Sequence, residues 1–295
     1  MSSQDTIRLA FFGTSEIAVY VLDELEKAGY MPAVVVTSSD KPQGRGMVMT
    51  SSAVALWALE RSIPLSQPAK ITPDVIEGLQ EESWDVFIVA DYGLILPKAL
   101  LDTPKHGTLN VHPSILPRLR GPSPIRSAIL TDERETGVTV MLLDEKMDHG
   151  PIVAQRKVAV SDWPPNASVL EETLARAGGE LLASILPQWI AGEIEAHEQN
   201  HDVATYCEKF EKEDGLLNLA DDASNNLRKI RAYEGWPGAY AYFSRNGKKL
   251  RVKILDAHID SDTLVIERVL PEGKREMSHE EFLRSGAMPA TRDAA

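Results

Sequence analysis

The chain has one cysteine, Cys207, which excludes an internal disulfide and a cysteine-rich zinc site. No apolar stretch approaches the ~18 residues that a membrane-spanning helix needs. The opening residues, MSSQDTIRLAFFG, lack the basic start, apolar centre and small-residue cleavage site of a secretory signal. A cytoplasmic protein with no membrane partner is expected. Positive charge is also short: 31 Lys and Arg face 44 Asp and Glu, a net charge of −13. That balance argues against a polyanionic partner for the molecule as a whole. The shortfall is uneven, because residues 206–295 hold about 15 basic and about 16 acidic side chains. The deficit therefore lies in the first 205 residues, and a local basic patch remains open.

Several chemical signatures are missing as well. The first strand-to-helix turn has only Gly13 and no GxGxxG, so dinucleotide binding is poorly supported even with Asp40 available to a ribose. Ser114 has no nucleophile-elbow context. His112 and Asp148 lack a third spaced ligand, so no metal is expected.

What is present reads as an α/β protein. IRLAFFG (7–13) is a short apolar strand, and TSEIAVYVLDELEKAG (14–29) follows at helical spacing, capped by Thr14 or Ser15 and ended by Gly29. PAVVVTSS (32–39) is a second buried strand, completing a βαβ unit whose apolar strands imply a mostly parallel sheet. SSDKPQGRGMVMTSS (38–52) reads as a long loop. Helices follow at SAVALWALERS and 72–83, then a strand at WDVFIVADYG (84–93) and a short helix in LILPKALLDTPKHG. TGVTVMLLDEKMDHGPIVAQRKVAV (136–160) gives two strands joined by a turn that carries Asp148, His149 and Gly150. Residues 167–192 form a long helix, expected to be interrupted near Gly178 and Gly179. Polar residues at 193–205 read as a linker, and 206–295 as a small β-rich second domain.

The chain is organised around TLNVHPSILPRLRGPSPIR (108–126). Asn110 and His112 are two apart on a strand, so their side chains share a face. Pro113 stops the strand, and a stiff loop rich in proline follows. A polar pair at the carboxyl end of a strand is where α/β proteins place chemistry. The alternative is a pair of strand-end residues making turn hydrogen bonds. With Asp148 they supply an amide donor, an imidazole that titrates near neutrality and a carboxylate, a set suited to attack of an amine on an acyl carbon.

The order LNVHPSILPRLRGPSPI, then ETGVTVMLLDEKMDHGPIV, resembles the folate-dependent formyltransferases. FFGTSEIA, KPQGRG, ADYGLILPKALL, TYCEKFEKED and IRAYEGWPGAY add to the resemblance, as does LPEGKREMSHEEFLRSG, and together they span nearly the whole chain in order. The resemblance implies a Rossmann-like formyltransferase domain (1–192), a linker (193–205) and an OB-like β-barrel domain (206–295). The barrel is expected to be shortened, because few residues separate KILDA (253–257) from LVIERVL (264–270). It implies Asn110, His112 and Asp148 as the catalytic trio, with Asp148 orienting His112. It also implies 10-formyltetrahydrofolate as the formyl donor, held by Ser114, Ile115, Leu116 and Pro117 with Tyr92 and Leu94 of the ADYGLILP segment. The implied acceptor is the amino group of initiator methionyl-tRNA, the alternative a small amine such as an amino sugar nucleotide. Arg45 is the candidate tRNA contact of the GRG loop, which otherwise is a flexible surface loop. Arg118 and Arg120 could meet a tRNA end or folate glutamates, or be solvated loop charges. Lys248, Lys249, Arg251 and Lys253 leave a basic face that is either a tRNA patch or an exposed edge guarded by lysine. A monomer is expected.

Overall fold

The computed structural model describes residues 7–43 and 47–289. In chain order its elements are β1 (Leu9–Gly13), α1 (Glu16–Lys27), β2 (Val34–Val36), β3 (Lys41–Gln43), β4 (Val48–Thr50), α2 (Ala53–Glu60) and β5 (Leu65–Ser66). Next come α3 (Pro73–Gln80), β6 (Val86–Ala90), α4 (Lys98–Leu101), β7 (Thr108–His112), α5 (Pro124–Leu130), β8 (Thr136–Leu142), β9 (Ile152–Val158) and α6 (Ala167–Ile190). The remainder is α7 (Ala223–Ala232), β10 (Tyr240–Arg245), β11 (Lys248–Asp260), β12 (Thr263–Pro271), β13 (Met277–Ser278), α8 (His279–Arg284) and β14 (Met288–Pro289). The chain divides into two compact units.

The first unit comprises residues 1–121, 135–159 and 171–206. Its seven-stranded sheet runs β5-β2-β1-β6-β7-β8-β9, parallel through β7 and antiparallel over the last two pairings. The mostly parallel sheet expected from the apolar strands is thus present. Strand alternation sorts the core into two layers. Leu9, Phe11, Ile88, Leu109, Val111 and Val140 join Val21, Leu22, Leu182 and Leu186 of α1 and α6. Ala10, Phe12, Val36, Phe87 and Val89 join Leu79, Leu100 and Leu101 of α3 and α4. By the same alternation Thr108, Asn110 and His112 belong to the second layer.

Helix α1 begins as read: the Ser15 side chain accepts from the Ile17 N–H, and Gly29 follows the helix at φ +86°. Two expectations give way. The stretch 38–52 is not all loop, because β3 and β4 pair antiparallel, Pro42 opposite Met49. Arg45 lies outside the described residues. Helix α6 runs unbroken through both glycines. A Cβ on Gly178 would sit 2.4 Å from Val111 Cγ1, and one on Gly179 2.8 Å from Glu24 Cβ. These glycines let the helix lie close on β7 and α1 rather than ending it.

The second unit comprises residues 122–134, 160–170 and 207 onwards. Its antiparallel sheet runs β13-β12-β11-β10-β14 around Phe243, Val252, Ile254, Val269 and Phe282. Two residues, Ser261 and Asp262, connect β11 to β12 at φ 46° and 66°, the pair of positive values that a tight twisted hairpin needs. One Arg126 nitrogen donates to the carbonyls of Ala232, Glu234 and Trp236, so a cation closes the carboxyl end of α7.

Gly178→Ala should cost ~1–3 kcal/mol in denaturant unfolding through the clash with Val111. The same change made on Val111→Ala should cost less, because the missing methyls leave room. Equal losses in the two backgrounds would remove the close approach as the reason for the glycine.

Candidate active site

Strand β7 is buried along its length, and it delivers Asn110 and His112 to one face with 9% and 5% exposure. The Asn110 side-chain amide makes no hydrogen bond among the described residues. A half-exposed position could leave an amide idle, but a nearly buried one is expected to have a partner. Its partner is therefore sought in a ligand.

His112 is held differently. Its Nε2 lies 3.0 Å from the Leu119 carbonyl, and a carbonyl only accepts, so Nε2 carries the proton and donates. In its neutral form the ring then presents its lone pair at Nδ1. Asp148 Oδ1 stands 3.6 Å from that nitrogen, too far for a hydrogen bond. Two acceptors thus face one small space, an arrangement that takes up a proton. The Leu119 carbonyl holds the imidazole by a hydrogen bond, and Asp148 faces its other nitrogen.

Asp148 reaches this place from the far end of the strand. The Leu143 N–H, just after β8, donates to the Thr108 carbonyl at the start of β7, and the β8–β9 connection returns to the His112 end. There the Gly121 N–H donates to Asp148 Oδ2 at 2.7 Å. Asp148 has φ +48°, a conformation a non-glycine residue keeps only when its surroundings impose it. Gly150 is required nearby, since a Cβ there would lie 2.0 Å from the Leu142 carbonyl oxygen.

The loop after β7 is built from its own polar groups. The Ser114 hydroxyl is buried and donates to the Arg118 carbonyl. Thr139 donates to the Ser114 carbonyl and accepts from the Leu116 N–H, while Gln155 donates to the Leu116 carbonyl. Ile115 and Pro117 are the half-buried members of the expected folate segment. Tyr92 packs edge-on to Phe12, with its hydroxyl buried and without a partner among the described residues, and burial pushes that hydroxyl up to about 12. Leu94 is half-buried beside it in sequence, and Arg118 is exposed. Arg120 is neither a tRNA contact nor a solvated charge: at 1% exposure it donates to Gln199 Oε1, to the Tyr206 hydroxyl and to His201 Nδ1. Gln199, His201, Thr139 and Gln155 were not singled out from the sequence. Thr139 lies within the ETGVTVMLLDEKMDHGPIV match, and the TYCEKFEKED match starts at Thr205, just past Gln199 and His201. Among the described residues no group of three His, Cys, Asp or Glu is placed to hold a metal ion.

An amide without a hydrogen bond among the described residues, an imidazole and a carboxylate, at one end of a mostly parallel sheet, are a set chemically suited to acyl transfer. Residues 7–186 match the family described as formyl transferase, and 209–263 match the formyl transferase C-terminal domain. The chain belongs to the formyl transferases. It is 36% identical over 308 residues to the methionyl-tRNA formyltransferase of Methylococcus capsulatus, covering 97% of this chain and 99% of that one. It is 43% identical over 249 residues to that of Chloroflexus aggregans, covering 83% and 79%. An N-formyltransferase from Helicobacter canadensis, solved with folinic acid and dTDP-3-aminofucose, shares the fold at a TM-score of 0.61 and 21% identity, over 85% of this chain and 87% of that one.

Tyr92→Phe should stabilise the ligand-free protein by ~1 kcal/mol, because an unpaired buried hydroxyl is removed. It should also weaken binding of a ligand that supplies the missing partner. Thermal unfolding and titration with a reduced folate read the two effects. A less stable variant would mean that the hydroxyl already has an acceptor.

Proposed function

We propose that the chain transfers the formyl group of 10-formyltetrahydrofolate to the free amino group of initiator methionyl-tRNA, in the cytoplasm, for translation initiation. The observation that carries this reading is the convergence of Asn110, His112 and Asp148 in a chain that matches methionyl-tRNA formyltransferases over nearly its full length. Formylation of an amino sugar nucleotide is not favoured, since curated relatives at 36% and 43% identity over most of the chain are methionyl-tRNA formyltransferases.

The residues divide the work as follows. Asn110 donates its amide N–H to the oxygen of the formyl carbon as the amine adds, where charge develops. The His112–Asp148 space receives the proton that the amine loses in forming the C–N bond. That proton is then available to N10 of the folate as the C–N10 bond breaks, leaving tetrahydrofolate and formylated methionyl-tRNA. An α-amino group titrates near ~8, so a useful share is neutral at pH 7 and the site needs no strong base. Positioning and charge stabilisation are its main contributions. The fit of a folate rests on the Tyr92 hydroxyl, buried and without a partner among the described residues. Ser114, Ile115, Leu116, Pro117, Tyr92 and Leu94 are assigned to its binding.

For the tRNA we assign 206–295, with a reduced OB-like platform, as the binding domain and 1–192 as the catalytic one. In β11, Lys249, Arg251 and Lys253 alternate and so share a face, opposite Ser244, Tyr242 and Tyr240 of β10. Lys249 lies 4.2 Å over the Tyr242 ring and Arg251 3.7 Å over that of Tyr240. Cations stacked on the buried Tyr240 and the half-buried Tyr242 are held in place for phosphate contacts. Lys248 is exposed on the opposite parity. Arg118 and Arg45 are assigned to the acceptor end.

Transfer from 10-formyltetrahydrofolate to methionyl-tRNA, with amino sugar nucleotides as competing acceptors, tests the reading; formylation of the sugars alone would sink it. Within that assay Asn110→Ala should lower turnover by ~10²–10³. Lys249→Ala should leave kcat unchanged, weaken tRNA binding and reduce the salt slope of binding by ~1. An unchanged slope would move the tRNA surface elsewhere.

A further inference from the structure

We propose that Gln199, outside the reacting groups, is the positioning residue of the Asp148 carboxylate. The inference rests on the reading of Asp148 as a member of the catalytic trio.

Gln199 is 4% exposed and uses both ends of its amide. Its Nε2 donates to the carbonyls of Asp148 at 2.9 Å and Gly150 at 2.8 Å, bracketing the turn on which Asp148 sits at positive φ. Its Oε1 accepts from Arg120 Nη2 at 2.6 Å and Nε at 3.1 Å. The same Nη2 donates to His201 Nδ1 at 2.9 Å. A guanidinium only donates, so His201 carries its proton on Nε2. The His201 ring stacks on that of His149 with centroids 4.0 Å apart and planes within 6°. His149 Nδ1 lies 2.7 Å from Asp144 Oδ2, which returns the path to the start of the same turn. The result is a closed circuit: the turn, Gln199, Arg120, His201, His149 and the turn again.

The circuit decides where the carboxylate points. Backbone rotation at residue 148 would swing Oδ1 away from His112 and Oδ2 off the Gly121 N–H. Gln199 opposes that rotation by holding the carbonyls on both sides of His149. It touches neither His112 nor Asn110 in the described contacts, so its influence on the reaction runs through Asp148. Its second duty, giving Arg120 an acceptor, is structural. A carboxylate at 199 separates the two duties, because it keeps the acceptor for Arg120 and removes both donated hydrogen bonds.

Gln199→Ala loses both and is expected to unfold more easily, so Gln199→Glu is the informative variant. It should fold, melt below the parent because two backbone carbonyls lose their donor, and lose ~10–100-fold in kcat, with KM for folate and for methionyl-tRNA within about twofold, as for a ~1 Å misplacement of a reacting group. In an Asp148→Ala background the same change should cost nothing further, since the group it positions is gone. Parental kcat in Gln199→Glu would overturn the proposal. So would a full additional loss on top of Asp148→Ala, or failure of Gln199→Glu to fold. If Asp148→Ala itself kept parental turnover, the reading of the trio would fail first, and the two results are distinguishable in one assay.

Discussion

A loop that turns its backbone inward must find a partner for each N–H and C=O, or lose a few kcal/mol at each one. The segment from Ser114 to Gly121 is such a loop, and it leaves the sheet directly after His112. Thr139 and Gln155 satisfy its first half from the neighbouring antiparallel strands. Thr205 satisfies the second half, accepting from the N–H groups of Leu119 and Arg120 and donating to the Pro117 carbonyl. The buried Arg120 guanidinium draws in Gln199, His201 and Tyr206 by the same rule. Residues 199–206 are thereby fastened to the site loop.

His112 and Asp148, the proposed reacting groups, both inherit their geometry from that loop. The carbonyl of Leu119, itself at φ +56°, sets which nitrogen of His112 carries the proton. The N–H of Gly121, two residues on, takes one oxygen of Asp148 and leaves the other facing the ring. Neither atom belongs to a side chain, so sequence change at 119 or 121 can preserve the arrangement only if the backbone path survives. Asn110 lies outside this scheme, on a rigid strand with its amide idle. Groups fixed before substrate arrives need no rearrangement as charge develops, which is the usual source of rate at an acyl-transfer centre.

What could be read from the sequence follows from the range of the interactions. The i, i+2 placement of Asn110 and His112, the Ser15 cap and the apolar strands are local, and local rules identify them. The break expected in α6 came from a local rule that a longer-range one overrides: Gly178 costs helix propensity, but only a residue without a side chain fits against Val111. The stretch 193–205 reads as a linker because its composition is polar, and polarity alone does not reveal a partner. Gln199 meets Arg120 across 79 residues and Asp148 across 51, distances at which no pattern in one sequence carries a signal. Arg120 was ambiguous for the same reason, since nothing near it in the chain shows that it is buried. Position 148 was legible as a carboxylate and illegible as a geometry.

The uneven charge noted in the sequence gains a physical form in the second unit. A 13-residue strand carries Lys249, Arg251 and Lys253 on one face and Leu250, Val252 and Ile254 on the other, and only the second set enters the core. The shift in register between Ile254 and Ala257 ends this alternation, so the basic stripe stops where the strand bends. Acidic groups follow at once: Asp256 and Asp260 lie on the remainder of β11, and Arg268 of β12 turns toward Asp256. A net charge of −13 therefore does not repel a polyanion evenly. On the proposed reading, attraction is confined to a short stripe in which Lys249 and Arg251 are already stacked on tyrosines, and a stacked cation loses less freedom when it meets a phosphate than one on a free stem. On that reading local order, rather than total charge, is what would let an acidic chain hold a nucleic acid.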